Sequence, residues 1–523
     1  MNAFQRTAFK FAAIVAFGGF IFGLDAALIS GTVRFVTSEF GLSDLQVGTV
    51  VSAPGFGVIF ALLVTGHICN SLGRKKALLI IAALYLLSAI ASVLAPNFEA
   101  LVAARFLGGL AFTSLSLASM YIGEIAPANM RGKLVSMNQI TIVVGLSAAY
   151  FANYLILMAS NAAAPWVEAV GIVEHTWRWM LAVEVLPATL WLLMLFLIPE
   201  SPRWLVMKGR TDEARAVLGR LLPPDEVAPE LAEIQASTAQ SSHELSFKAQ
   251  VSELFDGRLR KAVWIGLAIA IIQPITGINA IMFYAPTVFE QTGIGTDAAF
   301  FQAVLVGLVS VVFTVLALLL IDRLGRRPLV LFGLAWAALS LFVCAYGFAN
   351  ARYVLDQDAI LALASQVDAG ALQSLLGVEF GSDVAFKQAL YAALGEGAAR
   401  AQESVLIQGA IHINTTMVLL GIMCFIAAFN FSIGPIMWVL FSEIFPTHVR
   451  GIAIPCFALV VSVVSYLVQQ FFPWQLSNMG AAEIFLFYAG SITVGWLVLL
   501  KLLPETKNKS IEEIEATLNM ARA

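Results

Sequence analysis

The chain has 523 residues, 59% hydrophobic and only 12% charged, with a formal net charge of −4 and a mean hydropathy of +0.85. A soluble domain carries about 25% charged residues, so a soluble globular protein is excluded, and the near-neutral balance offers no basic patch for nucleic acid. Charge is absent from runs of about 20 residues and crowded between them, which is the pattern of a polytopic helical membrane protein. The predicted fold class is therefore all-α and membrane-embedded. The cysteines Cys69, Cys344, Cys424 and Cys456 fall in or beside apolar runs, with no disulfide framework or zinc spacing. No nucleotide loop, HExxH, GxSxG or Cys/His cluster is present, so an enzyme, a cofactor and a metal site are not expected.

In chain order, twelve spans are expected near 11–31, 47–69, 77–95, 98–122, 137–158, 178–198, 261–289, 298–320, 328–349, 412–443, 450–472 and 481–503. No small-residue cleavage site follows the first run, so it reads as a retained helix. The organisation is an N-terminal six-helix bundle over 1–198, a polar segment over 199–260, a C-terminal six-helix bundle over 261–503 and a tail over 504–523. In the polar segment, "TDEARAVLGRLL" and "PPDEVAPELAEIQA" read as short amphipathic helices, the second with prolines at its start. The second bundle carries an insertion over 350–411, in which "DQDAILALASQ", "SLLGVEFGSDVAFKQALYAAL" and "ARAQESVLIQ" look helical.

Lys and Arg set the orientation. With a cytoplasmic N-terminus, only Arg34, Arg178, Arg352, Lys387 and Arg400 fall outside, and Arg105 lies within a span. All other basic residues are then cytoplasmic, as are both termini.

Three motifs recur in order in the two halves. "SLGRKKALL" after span two returns as "RLGRRPLVL" after span eight, "GEIAPANMRG" after span four as "SEIFPTHVRG" after span ten, and "PESPR" after span six as "PETK" after span twelve. A duplicated six-helix unit with matched charges on one face suits a carrier whose two bundles rock against each other. Glu–Arg pairs drawn from Arg74, Glu124, Arg131, Glu200, Arg203, Asp322, Arg326, Glu443 and Arg450 are expected to latch the inner face across the seam. Topology signals and helix caps are the plainer account of any one copy.

Three ionisable residues fall within spans of the first half. Asp25 is six residues from the expected outer end of span one, Arg105 seven residues into span four, and Glu184 six residues into span six. At 1.5 Å per residue all three lie about 9–10 Å deep. A charge at bilayer depth costs roughly 2.5–3.5 kcal/mol on insertion scales and is functional by default. An arginine flanked by two carboxylates can hold one ionised while the other titrates. A salt-bridged cluster that only fixes packing is the alternative.

Jointly, "FGLDAALISG", "SLGRKK", "GEIAPANMRGK", "WRWMLAVEVLPA", "PESPRWLVMKGR", "TGIN", "DRLGRRPL", "GPIMW", "SEIFPTHVRG" and "PETK" resemble the sugar porters of the major facilitator superfamily over essentially all twelve spans. The resemblance implies two six-helix bundles alternating around a central site, with an intracellular helical domain in 199–260. In bacterial proton-coupled members an aspartate at the Asp25 position pairs with an arginine at the Arg105 position, and some carry a glutamate at the Glu184 position. Facilitative mammalian glucose carriers have asparagine instead of the aspartate. The resemblance also implies sugar contacts at Gln139, Gln273, Asn279 and Trp438, with Phe22 and Tyr284 as further candidates. Amides suit a polyol because each donates and accepts.

The departures from the family pattern are specific. One of a glutamine pair becomes Pro274, a span-eight asparagine becomes Ser310, a polar–Trp pair becomes Val461 and Ser462, and Phe283 stands where many members have tyrosine. The cleft is accordingly less polar and less aromatic than a typical hexose or pentose site. The function expected is proton-coupled symport of a monosaccharide or related polyol by a monomer in the cell membrane, with sugar, proton and membrane lipid as partners. A uniporter, an exporter of a less polar solute and a transporter-like nutrient sensor are the alternatives.

Overall fold

A computed structural model describes residues 3–127, 130–162, 164–241, 254, 259–363, 368–445, 447–509, 513–514 and 518. Among these, 12 helices are long and apolar enough to cross a membrane, in two sequential sets of six. An even number of crossings returns both chain ends to one side, here called the terminal face; the other is the opposite face. The lipid-exposed backbone must pair internally, which helices alone achieve span by span.

The first span runs Ala3–Phe40, 38 residues, about 57 Å at 1.5 Å per residue. It is much longer than the expected 11–31 and projects past the opposite face. There the carboxylate of Glu39 accepts from the Arg178 guanidinium at 3.0 Å and from the Trp177 indole. Asp25 therefore lies fifteen residues from the helix end, not six, near the middle of its helix. The depth estimate took the end of the apolar run for the end of the helix.

The first and fifth spans touch backbone to backbone. A Cβ on Gly23 would stand 2.0 Å from the Ile142 carbonyl oxygen, and one on Gly145 2.1 Å from that of Phe20. Only glycine permits this approach, and it fixes the height of Asp25 against its neighbours.

The halves meet at the opposite face. Tyr150 donates to the Met282 carbonyl at 2.6 Å, Ser52 to Gln470 Oε1 at 2.8 Å, and Gln470 Nε2 to the Leu45 carbonyl at 2.9 Å. Arg34 reaches Glu290 at 3.7 Å, and Asn161 donates to Asp297 at 3.0 Å. The Phe56 and Tyr466 rings pack 5.5 Å apart. These polar bonds thus join the halves on the opposite face. At the terminal face, Arg74 pairs with Glu124 and Arg326 with Glu443, each within one half.

Two accessory regions complete the fold. Helices Pro202–Met207, Thr211–Leu221 and Pro224–Ser241 pack around Trp204, Leu205, Ala214, Leu218 and Leu231, and the Trp204 indole anchors them to the Asn70 carbonyl at 3.0 Å. The insertion on the opposite face is not purely helical, as its apolar runs suggested. Strands Arg352–Val354, Glu379–Phe380 and Ile411–His412 form an antiparallel sheet with the first in the middle. Its helices close over a separate core that includes Tyr353, Leu372, Phe386, Leu390 and Leu406. Strands this short escape periodicity arguments, which need four or more residues.

Candidate functional site

The three ionisable residues of the first half converge. Arg105 Nη1 donates to Asp25 Oδ1 at 3.0 Å, with both residues almost wholly buried. Glu184, 4% exposed, acts electrostatically on both, and its carboxyl also lies within hydrogen-bonding reach of the Asp25 side chain. Asp25 Oδ2 and Arg105 Nε and Nη2 are buried without a hydrogen-bond partner among the described residues. The pair is held by one bond where a guanidinium and a carboxylate can make two. The free oxygen faces Gly108, whose missing Cβ would sit 3.9 Å from it and 2.6 Å from Ser88 Oγ. Asp25 thus has one oxygen committed to Arg105 and a second carboxyl, Glu184, in contact with it, an arrangement that can hold a proton between the two carboxyls.

Several spans break where the site residues lie. The sixth is interrupted at Val183–Glu184, between Thr176–Ala182 and Val185–Leu195. The seventh falls into Arg260–Ile275, Ile278–Phe283 and Ala285–Glu290, with Gly277 at φ +83°. The tenth is split at Ser432 into Thr415–Phe431 and Ile433–Ile444. Interrupted helices at membrane depth are tolerated where they line a protein-lined or watery cavity. The breaks were not predicted. Their signals were Pro274 with Gly277 in "QPITGIN" and Gly434-Pro435 in "GPIMW".

Gln273 and Asn279 flank the seventh-span break, and Trp438 follows the tenth-span break. Gln139 and Asn279 are half-buried, and neither side chain has a hydrogen-bond partner among the described residues. Gln273 Oε1 is buried and also unpaired. Trp438 is 41% exposed and meets Phe441 edge-on at 5.9 Å. These are groups with bonding capacity to spare, as a polyol site requires. Phe22 instead packs edge-on against Phe112 at 4.6 Å. Tyr284 is 1% exposed, its hydroxyl committed to the Gln469 carbonyl at 2.8 Å and its ring set against Phe472. That bonding makes Tyr284 a packing residue in this conformation. A groove of about 710 Å³ between the seventh and twelfth spans has an apolar lining and includes none of these residues.

At the terminal face the repeated motifs form the same device twice. In the first half Arg74 pairs with Glu124 at 3.0 Å, and Glu200 accepts from the backbone N–H of Arg74 at 2.9 Å and of Lys75 at 3.1 Å. In the second half Arg326 pairs with Glu443 at 2.9 Å and with Asp322 at 3.0 Å, and Glu505 accepts from the N–H of Arg326 at 3.1 Å and of Arg327 at 3.2 Å. A carboxylate on the first amides of a helix satisfies orphan donors and the helix dipole together. Gly73 and Gly325, at φ +96° and +93°, leave room for these carboxylates.

The described members of the expected latch make what bonds they have within one half in this conformation. Glu200 caps a helix of its own half, Arg203 is exposed with no ion pair among the described residues, and Arg450 donates to the Phe445 carbonyl at 3.2 Å. The Arg131 side chain lies outside the described residues. Among the described residues, the charged groups of this set that have partners find them within their own half. Glu505 was missed, although its match to Glu200 in "PESPR" and "PETK" was available in the sequence.

Residues 11–365 and 390–518 match the family described as "Sugar (and other) transporter". The chain belongs to the sugar porter family of the major facilitator superfamily. It is 33% identical over 500 residues to the arabinose-proton symporter of Bacillus subtilis (strain 168), covering 95% of this chain and 92% of that one. It is 30% identical over 545 aligned positions to the D-xylose-proton symporter of Escherichia coli (strain K12), covering 97% and 95%. Among solved structures it resembles the E. coli xylose transporter in its inward-open conformation, with a TM-score of 0.73 and 27% identity over 98% of this chain and 99% of that one.

Proposed function

We propose that the protein is a proton-coupled symporter that carries a monosaccharide or related polyol across the cell membrane by alternating access. It acts as a single chain with both termini in the cytoplasm. The observation that carries this reading is the buried Asp25–Arg105 pair with its unpaired carboxylate oxygen. A buried ion pair that only held helices together would gain by using both oxygens. The relatives named as arabinose- and xylose-proton symporters support the same assignment.

The chemistry follows from the pair. Ionised, Asp25 ties the first span to Arg105 on the fourth. A proton arriving at Oδ2 neutralises the carboxylate and weakens its hold on the guanidinium. Glu184 beside it takes up the balance of charge. With the first and fourth spans released, the bundle can repack, and sugar bound by amides of both halves draws the halves together. Gln139 belongs to the first half and Gln273, Asn279 and Trp438 to the second, so a substrate touching both favours closure over the empty carrier.

The test is uptake of labelled sugars and polyols into liposomes, with and without an imposed proton gradient. Accumulation above the external concentration only with the gradient supports the reading. A substrate that merely equilibrates under both conditions makes the protein a uniporter and Asp25 a structural residue.

A further inference from the structure

We propose that the insertion after the ninth span is an outer latch of the transport cycle, closed by the ion pair between Arg400 and Asp44. The proposal rests on the alternating-access reading above.

The insertion is fixed to the second half. Lys387, 1% exposed, pairs with Glu403 at 2.9 Å and donates to Gln291 Oε1, just past the broken seventh span, at 3.4 Å. Asp383 Oδ2 accepts the Ala481 N–H at the start of the twelfth span at 3.2 Å. These contacts make the insertion a rigid part of the second bundle.

It reaches the first half through Arg400. The guanidinium grips Asp44 with two bonds, Nη1 to Oδ1 at 2.8 Å and Nη2 to Oδ2 at 3.3 Å. Asp44 is the first residue of the second span, behind an N-cap and capping box at Ser43. Its position is set by its own helix, which favours a carboxylate in the first turn. The pair thus joins two elements that are each held independently.

The location gives the pair its consequence. Asp44 stands about 12 Å along the helix from Ser52, which with Gln470 closes the seam between the halves. The second and eleventh spans cannot part at this face while Arg400 holds Asp44. The family match lapses over 366–389, within this insertion, so part of the latch body is an addition to the common sugar porter plan.

Spin labels at Trp166 in the first half and Asn478 in the second, both exposed, read the separation of the halves without sugar or proton gradient. In the purified full chain, Asp44→Asn and Arg400→Gln are each expected to raise the long-distance population about two- to fivefold, the range for a partly exposed ion pair. The double swap Asp44→Arg with Arg400→Asp should return it towards the wild-type value. Single variants with wild-type distance distributions overturn the latch. So does a swap that leaves the halves as far apart as the singles do. Accumulation by the wild type is measured separately: a chain that accumulates nothing but responds in distance defeats the symport reading and leaves the latch standing. A chain that accumulates but shows no response in distance does the reverse.

Discussion

Arg105 binds one oxygen of Asp25 at 3.0 Å and leaves the other, in a site almost closed to solvent, without a hydrogen-bond donor among the described residues. Burial makes any uncompensated charge there expensive, so the two side chains must change state together. A proton on the free oxygen is the smallest change that loosens the pair without exposing it. Gly108 and Ser88 pack beside that oxygen, and a Cβ at Gly108 would stand 2.6 Å from Ser88 Oγ.

Asp25→Asn imitates the protonated form permanently. Uphill, gradient-driven uptake should be abolished. Substrate binding should stay within about tenfold, or 1.4 kcal/mol, because the proposed sugar contacts are on other side chains. Accumulation in liposomes with and without a proton gradient, beside a binding isotherm, separates the two effects. An asparagine variant that still concentrates substrate would move the proton to Glu184.

Gln273→Ala should weaken substrate binding by roughly 1–3 kcal/mol, the cost of unpaired polar groups. Its Oε1 has no hydrogen-bond partner to lose among the described residues, so thermal stability should hardly change. Loss of affinity with an unchanged melting temperature supports a substrate contact. Loss of both would mean that Gln273 holds the broken seventh span together.

The sequence carried the fold well, because the charge-free runs and the repeated motifs are one-dimensional signals. Arg105 could be matched to Asp25 and Glu184 because a charge among apolar residues stands out singly. The breaks at Glu184, Gly277 and Ser432 were less legible, since a helix interruption in an apolar run changes neither length nor hydropathy. The state of the carrier was not legible at all. Glu200 and Arg450 would read the same in either conformation, and only the geometry shows each satisfied within its own half.

Gly73 and Gly325 offer a test of the repeated terminal-face device. A Cβ at Gly73 would stand 2.3 Å from Glu200 Oε2, and one at Gly325 2.6 Å from Glu505 Oε2, in both cases at a positive φ. Alanine should cost on the order of 1–3 kcal/mol at either position from backbone strain alone, and it should displace the capping carboxylate as well. Melting curves in detergent should fall for both single variants. Glu505→Gln, which keeps the shape and weakens the cap, should lie between wild type and Gly325→Ala.

Lys387 provides the last test, with a pH signature. Burial pulls its pKa down, while Glu403 and Asp383 pull it up, and the net direction is upward. A raised lysine contributes stability that is fully present below its unfolded value, about 10.4, and is lost as pH rises through its folded value. The insertion should therefore keep its protection through neutral pH and loosen only under strongly alkaline conditions. Lys387→Met removes the cation and leaves Asp383 and Glu403 facing each other in a buried site, which should cost roughly 3–5 kcal/mol. Acidic pH should relieve that defect, because protonating a carboxylate removes the uncompensated charge. Hydrogen exchange across the Asp383–Leu394 helix, measured at acidic, neutral and alkaline pH in both forms, reads the whole pattern. A methionine variant as protected as the wild type at neutral pH would show that the buried cluster does not hold the insertion in place.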